Sequence, residues 1–249
     1  MSTHRILVTG GLGRLGLAIG AAAEARGWSA LLSTRDPAKV EAFNQEAASK
    51  DWTRRAVVLR FADEASLKQE VAALIAAEGP IQGLVNNAYA AAPFSPVEEL
   101  RWDSWGKLAE AELGQPLTLS QSLLAAGTLA SIVNIGSIYG VMAPDFGIYT
   151  DGREPSPIYY GALKGGLLQM TRYLAVYWAE HGVRVNMVSA GGIENGQDPK
   201  FLEAYGRMVP TGRMVDRQEV ANAVCFLLSP ESSGINGTNL MVDAGRHAW

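Results

Sequence analysis

The chain has 249 residues, 48% of them hydrophobic and 18% charged, so it can bury a sizeable core and is not expected to be disordered. Its formal net charge of −4 and the absence of a basic patch in the sequence argue against nucleic acid as a partner. Three histidines are too few to predict a histidine-rich metal site, and the single cysteine, Cys225, excludes an intramolecular disulfide framework and is expected to be buried packing.

Short β-rich runs alternate with longer helical patterns along the chain. Strands are predicted over 5–10, 29–34, 56–61, 81–87, 131–137, 183–190 and 238–245. Helices are predicted over 14–26, 37–49, 64–79, about 103–126, 158–181 and 217–229. Such alternation predicts right-handed crossovers and a parallel sheet covered by helices on both faces. Because the sequence contains no linker or repeat, we interpret residues 1–249 as a single doubly wound α/β Rossmann domain.

The same sequence indicates where the protein is expected to work. No signal-peptide h-region precedes the first predicted strand, and no uninterrupted apolar run approaches membrane length. A single cysteine suits a reducing compartment. We therefore expect a cytoplasmic protein without a membrane partner.

A glycine-rich loop joins the first predicted strand to the first predicted helix. Its glycines, Gly10, Gly13 and Gly16, are spaced G-x-x-G-x-x-G. A tight turn suits glycine, and the following helix N-terminus offers free N–H groups to a pyrophosphate. The loop, including Arg14 and Leu15, therefore predicts a dinucleotide site, with a tight turn that binds nothing as the alternative.

The end of the second predicted strand bears on the choice of dinucleotide. An acidic residue there would bind the ribose 2′-hydroxyl of NAD, whereas an arginine accommodates the 2′-phosphate of NADP. Thr34 takes the discriminating position, and Arg35 and Arg14 could both reach the phosphate. Asp36 is a competitor, and both arginines could instead be solvated surface charges. The pattern favours NADP, with NAD as the alternative.

A tyrosine, a lysine and a serine should meet where the parallel strands end. Ser137 closes the fifth predicted strand, and Tyr160 and Lys164 lie on one face of the helix that follows. Hydride delivery to a carbonyl builds negative charge on oxygen, which needs a proton donor and a hydrogen bond. A nearby ammonium lowers the pKa of a phenol. We therefore expect Tyr160 to be the acid–base and Ser137 to hold the substrate oxygen, unless the tyrosine and lysine are a chance surface pair.

These motifs, taken in order, resemble the short-chain dehydrogenase/reductase family. The matching segments are TGGLGRLG at 9–16, NNA at 86–88, Ser137, YGALK at 160–164, RVNMVSAGGI at 184–193 and LMVDAG at 240–245. The resemblance implies an NAD(P)(H)-dependent oxidoreductase that interconverts a hydroxyl and a carbonyl. It also implies that Lys164 binds the nicotinamide ribose, and that subunits form a homodimer or homotetramer through the two long helices.

The resemblance implies further cofactor contacts along the chain. Asn87 and Ala88 are expected to line the cofactor path, and Asp63 is expected beside the adenine. Asp63 could equally cap the helix that follows it. Ile193 and Asn195 fall where the family contacts the nicotinamide carboxamide.

Two features depart from the family pattern. Glu112 stands where many members place an asparagine of a proton relay, and either replaces it or belongs to the helix surface. The separation of Ser137 and Tyr160 is longer than usual, which leaves an insert at about 143–157. This insert carries the charged residues Asp145, Asp151, Arg153 and Glu154.

The insert and a lid predicted at about 192–213 are both polar, and lids of this kind close over bound substrates. They predict a polar small-molecule substrate, such as a sugar or nucleotide sugar, unless the insert only supports a subunit contact. An NAD-retaining epimerase or dehydratase of the same fold is one alternative function. A non-catalytic dinucleotide-binding module is the other.

Overall fold

Seven parallel strands form one sheet in the computed structural model, which describes residues 4–90, 94, 96–149 and 154–249, without the side chains of 102–104. The strands are β1 Arg5–Val8, β2 Ser29–Thr34, β3 Arg55–Val58, β4 Gly83–Asn86, β5 Ser131–Ser137, β6 Arg184–Ala190 and β7 Asn239–Val242. Their order across the sheet is β3-β2-β1-β4-β5-β6-β7. The predicted doubly wound parallel sheet is therefore confirmed.

The α-helices connect these strands and cover the sheet. They are α1 Arg14–Glu24, α2 Pro37–Ser49, α3 Glu64–Glu78, α4 Trp102–Ala109, α5 Gln115–Ala125, α6 Ile158–Tyr177, α7 Pro199–Gly206 and α8 Arg217–Leu228. A π-helical turn over Glu110–Gly114 joins α4 to α5. The helix predicted over about 103–126 is therefore interrupted, and such turns are frequent at functional sites.

Each face of the sheet has its own hydrophobic core, because successive strand residues point to opposite faces. On β1, Ile6 and Val8 pack in one cluster with Val224 of α8. Leu7 packs on the other face in a cluster with Leu119 of α5. Burying each of these side chains contributes about 1.5–3 kcal/mol, which fixes the strand ends from both sides.

Cys225 lies within the core shared by α1 and α8 and has no exposed surface. Burial raises the pKa of its thiol to about 11, so the reactive thiolate does not form at neutral pH. This agrees with the interpretation of Cys225 as packing.

Aspartates cap several helices, but not α1. The N-caps of α2, α3, α7 and α8 are Asp36, Asp63, Asp198 and Asp216, and each accepts a backbone N–H of the first turn. Such a cap contributes about 1 kcal/mol. At α1 the N-cap is Gly13, with no side-chain cap among the described residues and no acidic residue in the first turn. The N–H groups at this end therefore remain available to an anion.

The strand order reverses between β1 and β4, which opens a crevice at their carboxyl ends. The glycine loop follows β1 there, and residues 87–90 follow β4. Ser137 ends β5 at the same edge of the sheet. The fold thus brings the predicted site segments to one edge.

Candidate active site

The loop between β1 and α1 depends on close backbone contacts that only glycine allows. Gly10 has a positive φ of 59°. A Cβ atom on Gly16 would lie 2.6 Å from the Gly10 carbonyl oxygen. A Cβ atom on Gly11 would lie 2.5 Å from the Cα of Leu32 on β2. The structure thus accounts for Gly10 and Gly16 and adds Gly11, which the predicted spacing did not mark.

The remaining predicted loop residues have different surroundings. The amide of Gly13 donates to the Gly10 carbonyl over 3.0 Å, which closes the turn. Arg14 is exposed in the first turn of α1, free to reach a ligand phosphate at this edge. Leu15 is half-buried and packs against the core on the α1 side. Its side chain therefore anchors the helix, and only its backbone N–H can meet a ligand.

Hydrogen bonds tie the glycine loop to the end of β4. The side-chain amide of Asn87 donates to the Thr9 carbonyl over 2.8 Å and to the Gly10 carbonyl over 3.2 Å. In return, the Thr9 hydroxyl accepts the amides of Asn87 and Ala88, each over 2.9 Å. Asn87 therefore positions the loop that would hold a cofactor, and its amide group is already engaged by protein.

A cavity of about 520 Å³ opens beside this loop. Its lining includes Gly10, Thr34, Arg35 and Ala88, so four predicted cofactor residues meet there. Asp36 turns away, because its carboxylate accepts the first-turn amides of α2 over 3.0 and 3.4 Å. Arg35 therefore borders this cavity without the predicted competition from Asp36.

The far wall of this cavity is formed by the residues after β3 rather than by Asp63. Leu59, Arg60 and Phe61 line it. The Asp63 carboxylate accepts the backbone N–H and the hydroxyl of Ser66, each over 2.8 Å, and so caps α3. These bonds lower its pKa. Of the two interpretations of Asp63, the helix cap is the one observed, and Asp63 is not among the lining residues.

Lys164 is buried and bonded on the side away from solvent. It is 5% exposed, and its ammonium donates to the Ile135 carbonyl of β5 over 3.0 Å. It also forms an ion pair with Glu112, over 2.9 Å from Nζ to Oε2. Glu112 belongs to the π-helical turn and is 4% exposed. It is therefore an interior residue and not part of the helix surface.

Tyr160, Ser137 and Lys164 lie together, as predicted from their spacing. Tyr160 and Ser137 line one cavity, and the Lys164 ammonium is 5.8 Å from the centre of the Tyr160 ring. The ring of Tyr89 stands edge-on to the Tyr160 ring, 5.4 Å away between centroids. The neighbouring Tyr159 is buried. A phenol, a hydroxyl and an ammonium therefore lie close together at this end of the sheet.

The electrostatic surroundings of Tyr160 differ from the sequence-based expectation. We expected the charge of Lys164 to lower its pKa. The pKa of Tyr160 is raised: burial is the largest cause, the Ser137 hydrogen bond lowers it in part, and the Glu112 charge raises it. The main physical reason is burial of the phenol, and Glu112, which lies against Lys164 and offsets the ammonium charge, adds to it.

A second cavity of about 360 Å³ lies in front of Tyr160 and Ser137. Its other walls are largely aromatic and carry hydroxyl groups. The lining includes Tyr89, Tyr139, Tyr149, Tyr160, Phe201 and Tyr205, with Ser156 and Gln197. The hydroxyls of Tyr139 and Tyr149 are hydrogen-bonded over 2.8 Å. Tyr89 also lines the first cavity, so the two cavities are neighbours.

The insert contributes aromatic and hydroxyl groups to this second cavity. Ile148 is buried in a small hydrophobic cluster with Tyr205, and Tyr149 packs beside it. Asp145 and Glu154 are exposed, and Asp145 accepts the Gly147 amide over 2.9 Å. The other two charged residues of the insert, at positions 151 and 153, lie outside the described residues. Asp145 and Glu154 do not line this cavity, whereas Tyr149 and Ser156 of the insert do.

The base of the predicted lid is held by backbone pairing. Ile193 forms a parallel bridge with Val215 and packs against the core. Asn195 is exposed, and its amide donates to the Gln197 side chain over 2.7 Å. Neither Ile193 nor Asn195 lines the two cavities, whereas Gln197 does. The described structure therefore presents Gln197, and not Asn195, to the crevice.

Two other kinds of site find no support in the part of the chain that the structure describes. No group of three or more histidine, cysteine, aspartate or glutamate side chains is arranged to hold a metal ion there. Among the described helices, none has both the length and the apolar character that a membrane span requires.

Comparison with known proteins assigns the family. The family model described as Enoyl-(Acyl carrier protein) reductase matches residues 13–247. The chain belongs to the short-chain dehydrogenase/reductase family. The predicted recognition is confirmed, and with it the oxidoreductase class.

Individual members show how varied this family is. The D-threitol dehydrogenase of Mycolicibacterium smegmatis is 29% identical over 96% of this chain and 91% of its own length. A gluconate 5-dehydrogenase from Burkholderia cenocepacia, solved with NADP and tartrate, superposes with a TM-score of 0.87 at 24% identity, over 100% of this chain and 97% of its own. A short-chain dehydrogenase from Leptospira borgpetersenii with bound NAD+ superposes with a TM-score of 0.85 at 27% identity, over 99% of this chain and 94% of its own. The nucleotide therefore differs between neighbours of one fold.

Several lining residues were missing from the sequence-based set. Phe61 and Arg60 could have been found, because they directly follow a strand that ends at the ligand edge. Tyr89 follows β4 at the same edge and was not marked as a site residue. Tyr139, Tyr149 and Tyr205 come from turns and the lid, and no periodic pattern marks such positions.

Proposed function

We propose that the protein is an NAD(P)(H)-dependent oxidoreductase that interconverts a hydroxyl and a carbonyl on a polar, sugar-like small molecule. One observation carries this proposal: the phenol of Tyr160 and the hydroxyl of Ser137 line the same small cavity. Beside that cavity lies the glycine-loop cavity, so a donor pair and a nucleotide site adjoin.

The residues around the glycine loop fit a dinucleotide. Gly16 leaves room beside the Gly10 carbonyl that a Cβ atom would occupy. Among the described residues, no side chain caps the first turn of α1. We assign the pyrophosphate to Gly10, Gly13, Arg14, Leu15 and Gly16, with backbone N–H groups as donors. When bound, the nicotinamide supplies or accepts the hydride.

NADP is the preferred nucleotide in this proposal. Thr34 and Arg35 line the cavity, and the Asp36 carboxylate is engaged in its helix cap. A guanidinium binds a phosphate with paired hydrogen bonds, whereas a free carboxylate there would have favoured the ribose of NAD. Arg14 provides a second cation at the same edge. NAD stays the alternative, since one fold neighbour binds it.

The chemical step uses three side chains. In the reducing direction, Tyr160 donates its phenolic proton to the substrate oxygen as negative charge develops there. Ser137 holds the same oxygen by a hydrogen bond. The Lys164 ammonium donates one N–H to the Glu112 carboxylate and another to the Ile135 carbonyl. We assign its third N–H to the nicotinamide ribose. In the oxidising direction the same groups act in reverse.

The substrate class follows from the lining of the second cavity. Four tyrosines around Tyr160, together with Ser156 and Gln197, present hydroxyl and amide groups on aromatic walls. Such walls pack against the C–H faces of a polyol while their hydroxyl groups bond to its oxygens. A relative named D-threitol dehydrogenase supports this class. The matching family model, in contrast, takes its description from a reductase of acyl-carrier-protein thioesters.

A substrate panel tests this proposal. The purified protein is mixed with NADP+ or NAD+ and a series of tetritols, pentitols and hexitols, and in the reverse direction with ketoses and acyl thioesters. Formation or loss of the reduced nicotinamide is followed by its near-ultraviolet absorbance. Turnover of polyols or ketoses supports the proposal. Preference for acyl thioesters contradicts the substrate class, and absence of turnover throughout contradicts the enzyme.

The two alternative functions have distinct signatures in the same assay. An epimerase or dehydratase would convert a sugar without releasing reduced nicotinamide to solution. A non-catalytic module would bind nucleotide and convert nothing. A sensor has no need of a proton donor, so Tyr160 and Ser137 together at one cavity favour the oxidoreductase.

We also propose that residues 1–249 form one NAD(P)-binding unit, that the protein is cytoplasmic, and that it forms a homodimer or homotetramer. An apolar groove of about 950 Å³ lies between α5 and α6, lined by Leu117, Met170, Tyr173 and Tyr177. Tyr173 and Val176 are 64% and 80% exposed, so a second copy on this face would bury apolar surface. Light scattering on the purified protein measures the assembly, and a monomer at micromolar concentration contradicts it.

A further inference from the structure

Glu112 is a buried charged residue for which the steps above leave no role beyond bonding to Lys164. Its two carboxylate oxygens face different elements: Oε2 is 2.9 Å from the Lys164 ammonium of α6, and Oε1 accepts the Ala90 amide over 2.8 Å. Ala90 directly follows Tyr89, which lines both cavities. Glu112 therefore connects the catalytic helix to the loop after β4.

The position of Glu112 depends on an irregular helical turn. Residues Glu110–Gly114 form a π-helical turn between α4 and α5, and Glu112 is its buried member. Such a turn inserts one extra residue into a helix and re-aims the side chains within it. Glu110, two residues earlier, is exposed. Of the two carboxylates in this turn, that of Glu112 is thus buried and that of Glu110 is exposed to solvent.

The charged and titratable groups facing Tyr160 come from four elements. They are Lys164 on its own helix, Glu112 on the π-helical turn, Ser137 at the end of β5 and Tyr89 after β4, with Tyr139, Tyr149 and Tyr205 across the cavity. Lys164 alone would favour the phenolate, and Glu112 opposes it. Burial is the largest cause that raises the pKa of Tyr160, and the Glu112 charge raises it further.

We propose that Glu112 is a positioning residue that offsets the charge of Lys164, so that Tyr160 rests as the neutral phenol, ready to donate its proton to a carbonyl. This inference rests on the proposed function, because it assigns a use to the same phenol. An asparagine at this position, which the family resemblance would lead one to expect, could accept a hydrogen bond from Lys164 but could not compensate its charge. At neutral pH, the resting Tyr160 then already carries the proton that carbonyl reduction requires.

The test is the pH dependence of kcat/KM in both directions for three variants. Glu112→Gln removes the charge at nearly constant volume, Glu112→Asp keeps the charge, and Glu110→Gln removes the exposed carboxylate of the same turn. Loss of the Glu112 charge leaves Lys164 uncompensated, so the Tyr160 pKa falls. The alkaline limb of reduction and the acidic limb of oxidation should both move to lower pH by about one unit.

The three variants distinguish an electrostatic role of Glu112 from a purely structural one. If Glu112 only supports the fold, Glu112→Gln lowers kcat without moving either limb, and this result overturns the proposal. Glu112→Asp should restore the wild-type limbs even where its kcat is reduced, and Glu110→Gln should leave the profile unchanged. A limb shift of equal size in Glu110→Gln would also overturn the assignment.

A second measurement uses the unsubstituted residue and needs no substrate. The tyrosinate absorbance of the wild-type protein is titrated, and the titration of Tyr160→Phe is subtracted to isolate Tyr160. The phenol should ionise above the pH at which free tyrosine does. Ionisation well below it overturns the proposal. If the substrate panel yields no turnover, the proposed function fails, and the same difference titration repeated with Glu112→Gln, in which the Tyr160 pKa should fall, still decides the role of Glu112.

Discussion

The nucleotide side and the substrate side of the crevice are built in different ways. The nucleotide side consists of strand ends and the glycine loop, held by backbone contacts at Gly10 and Gly16 and by the hydrogen bonds of Thr9 and Asn87. The substrate side consists of side chains from a turn, the insert and α7, which pack in a small cluster of their own around Tyr205. The first is determined by the fold common to the family, whereas the second varies with the loops. Substitutions on the two sides should therefore change different measured quantities.

The largest effect is expected where the two sides meet, at Tyr160. Tyr160→Phe removes the proton donor and should reduce kcat by at least about 100-fold, since general acid catalysis contributes on the order of 10²–10⁴. Nucleotide affinity, measured by fluorescence titration, should stay within about twofold of wild type. Tyr159→Phe, at the buried neighbouring position, serves as the control. Unchanged turnover in Tyr160→Phe would contradict its role.

A substitution in the glycine loop should change nucleotide binding while leaving the aromatic wall intact. In Gly16→Ala, the new methyl group would stand 2.6 Å from the Gly10 carbonyl oxygen. The loop must shift, at a cost of about 1–3 kcal/mol, which corresponds to a loss of nucleotide affinity of about 5- to 150-fold. Gly234→Ala is the matched control, because a Cβ there meets no heavy atom within 4 Å. Equal nucleotide affinity in the two variants would contradict this account of the loop.

Nucleotide preference should respond to Arg35 more selectively. Arg35→Ala should weaken NADP binding about tenfold through loss of a charge-assisted hydrogen bond, and should leave NAD binding nearly unchanged. Lys39→Ala removes another exposed cation nearby, outside the cavity lining, and should affect neither. Isothermal titration with both nucleotides measures the difference. A parallel loss for NAD and NADP would show that Arg35 does not read the 2′-phosphate.

The smallest effect is expected on the aromatic wall. Tyr149→Phe removes the hydroxyl that bonds to Tyr139 over 2.8 Å while keeping the ring. A single neutral hydrogen bond contributes about 1 kcal/mol, so KM for a polyol should rise about fivefold, with kcat and nucleotide affinity near wild type. Tyr177→Phe on the exposed face of α6 is the control. A fall in nucleotide affinity would mean that the two sides are not separable.

The sequence predicted the nucleotide side better than the substrate side, for physical reasons. Strand periodicity and glycine spacing follow from backbone geometry, so the sheet and Gly10 and Gly16 could be predicted. The insert was judged by the charges of Asp145 and Glu154, but in the structure it presents Tyr149 and Ser156. Which side of an irregular turn faces a cavity depends on tertiary packing, which no local pattern encodes.

The acid–base pair illustrates the same limit at a single residue. Tyr160 and Lys164 were placed correctly by their i, i+4 spacing. The sign of the change in the Tyr160 pKa was expected to be downward and is upward. Burial is the largest cause, and the charge that adds to it, Glu112, lies 48 residues before Tyr160 in the sequence and is turned inward by a π-helical turn. Neither the turn nor the burial it causes has a signature in composition.

The hydrogen bonds between Thr9 and the residues after β4 have a thermodynamic consequence. They fix the glycine loop in the protein alone, so its conformational entropy is lost when the chain folds and not when a nucleotide arrives. A rigid receptor of this kind binds with a smaller entropic penalty than one that must order itself around its ligand.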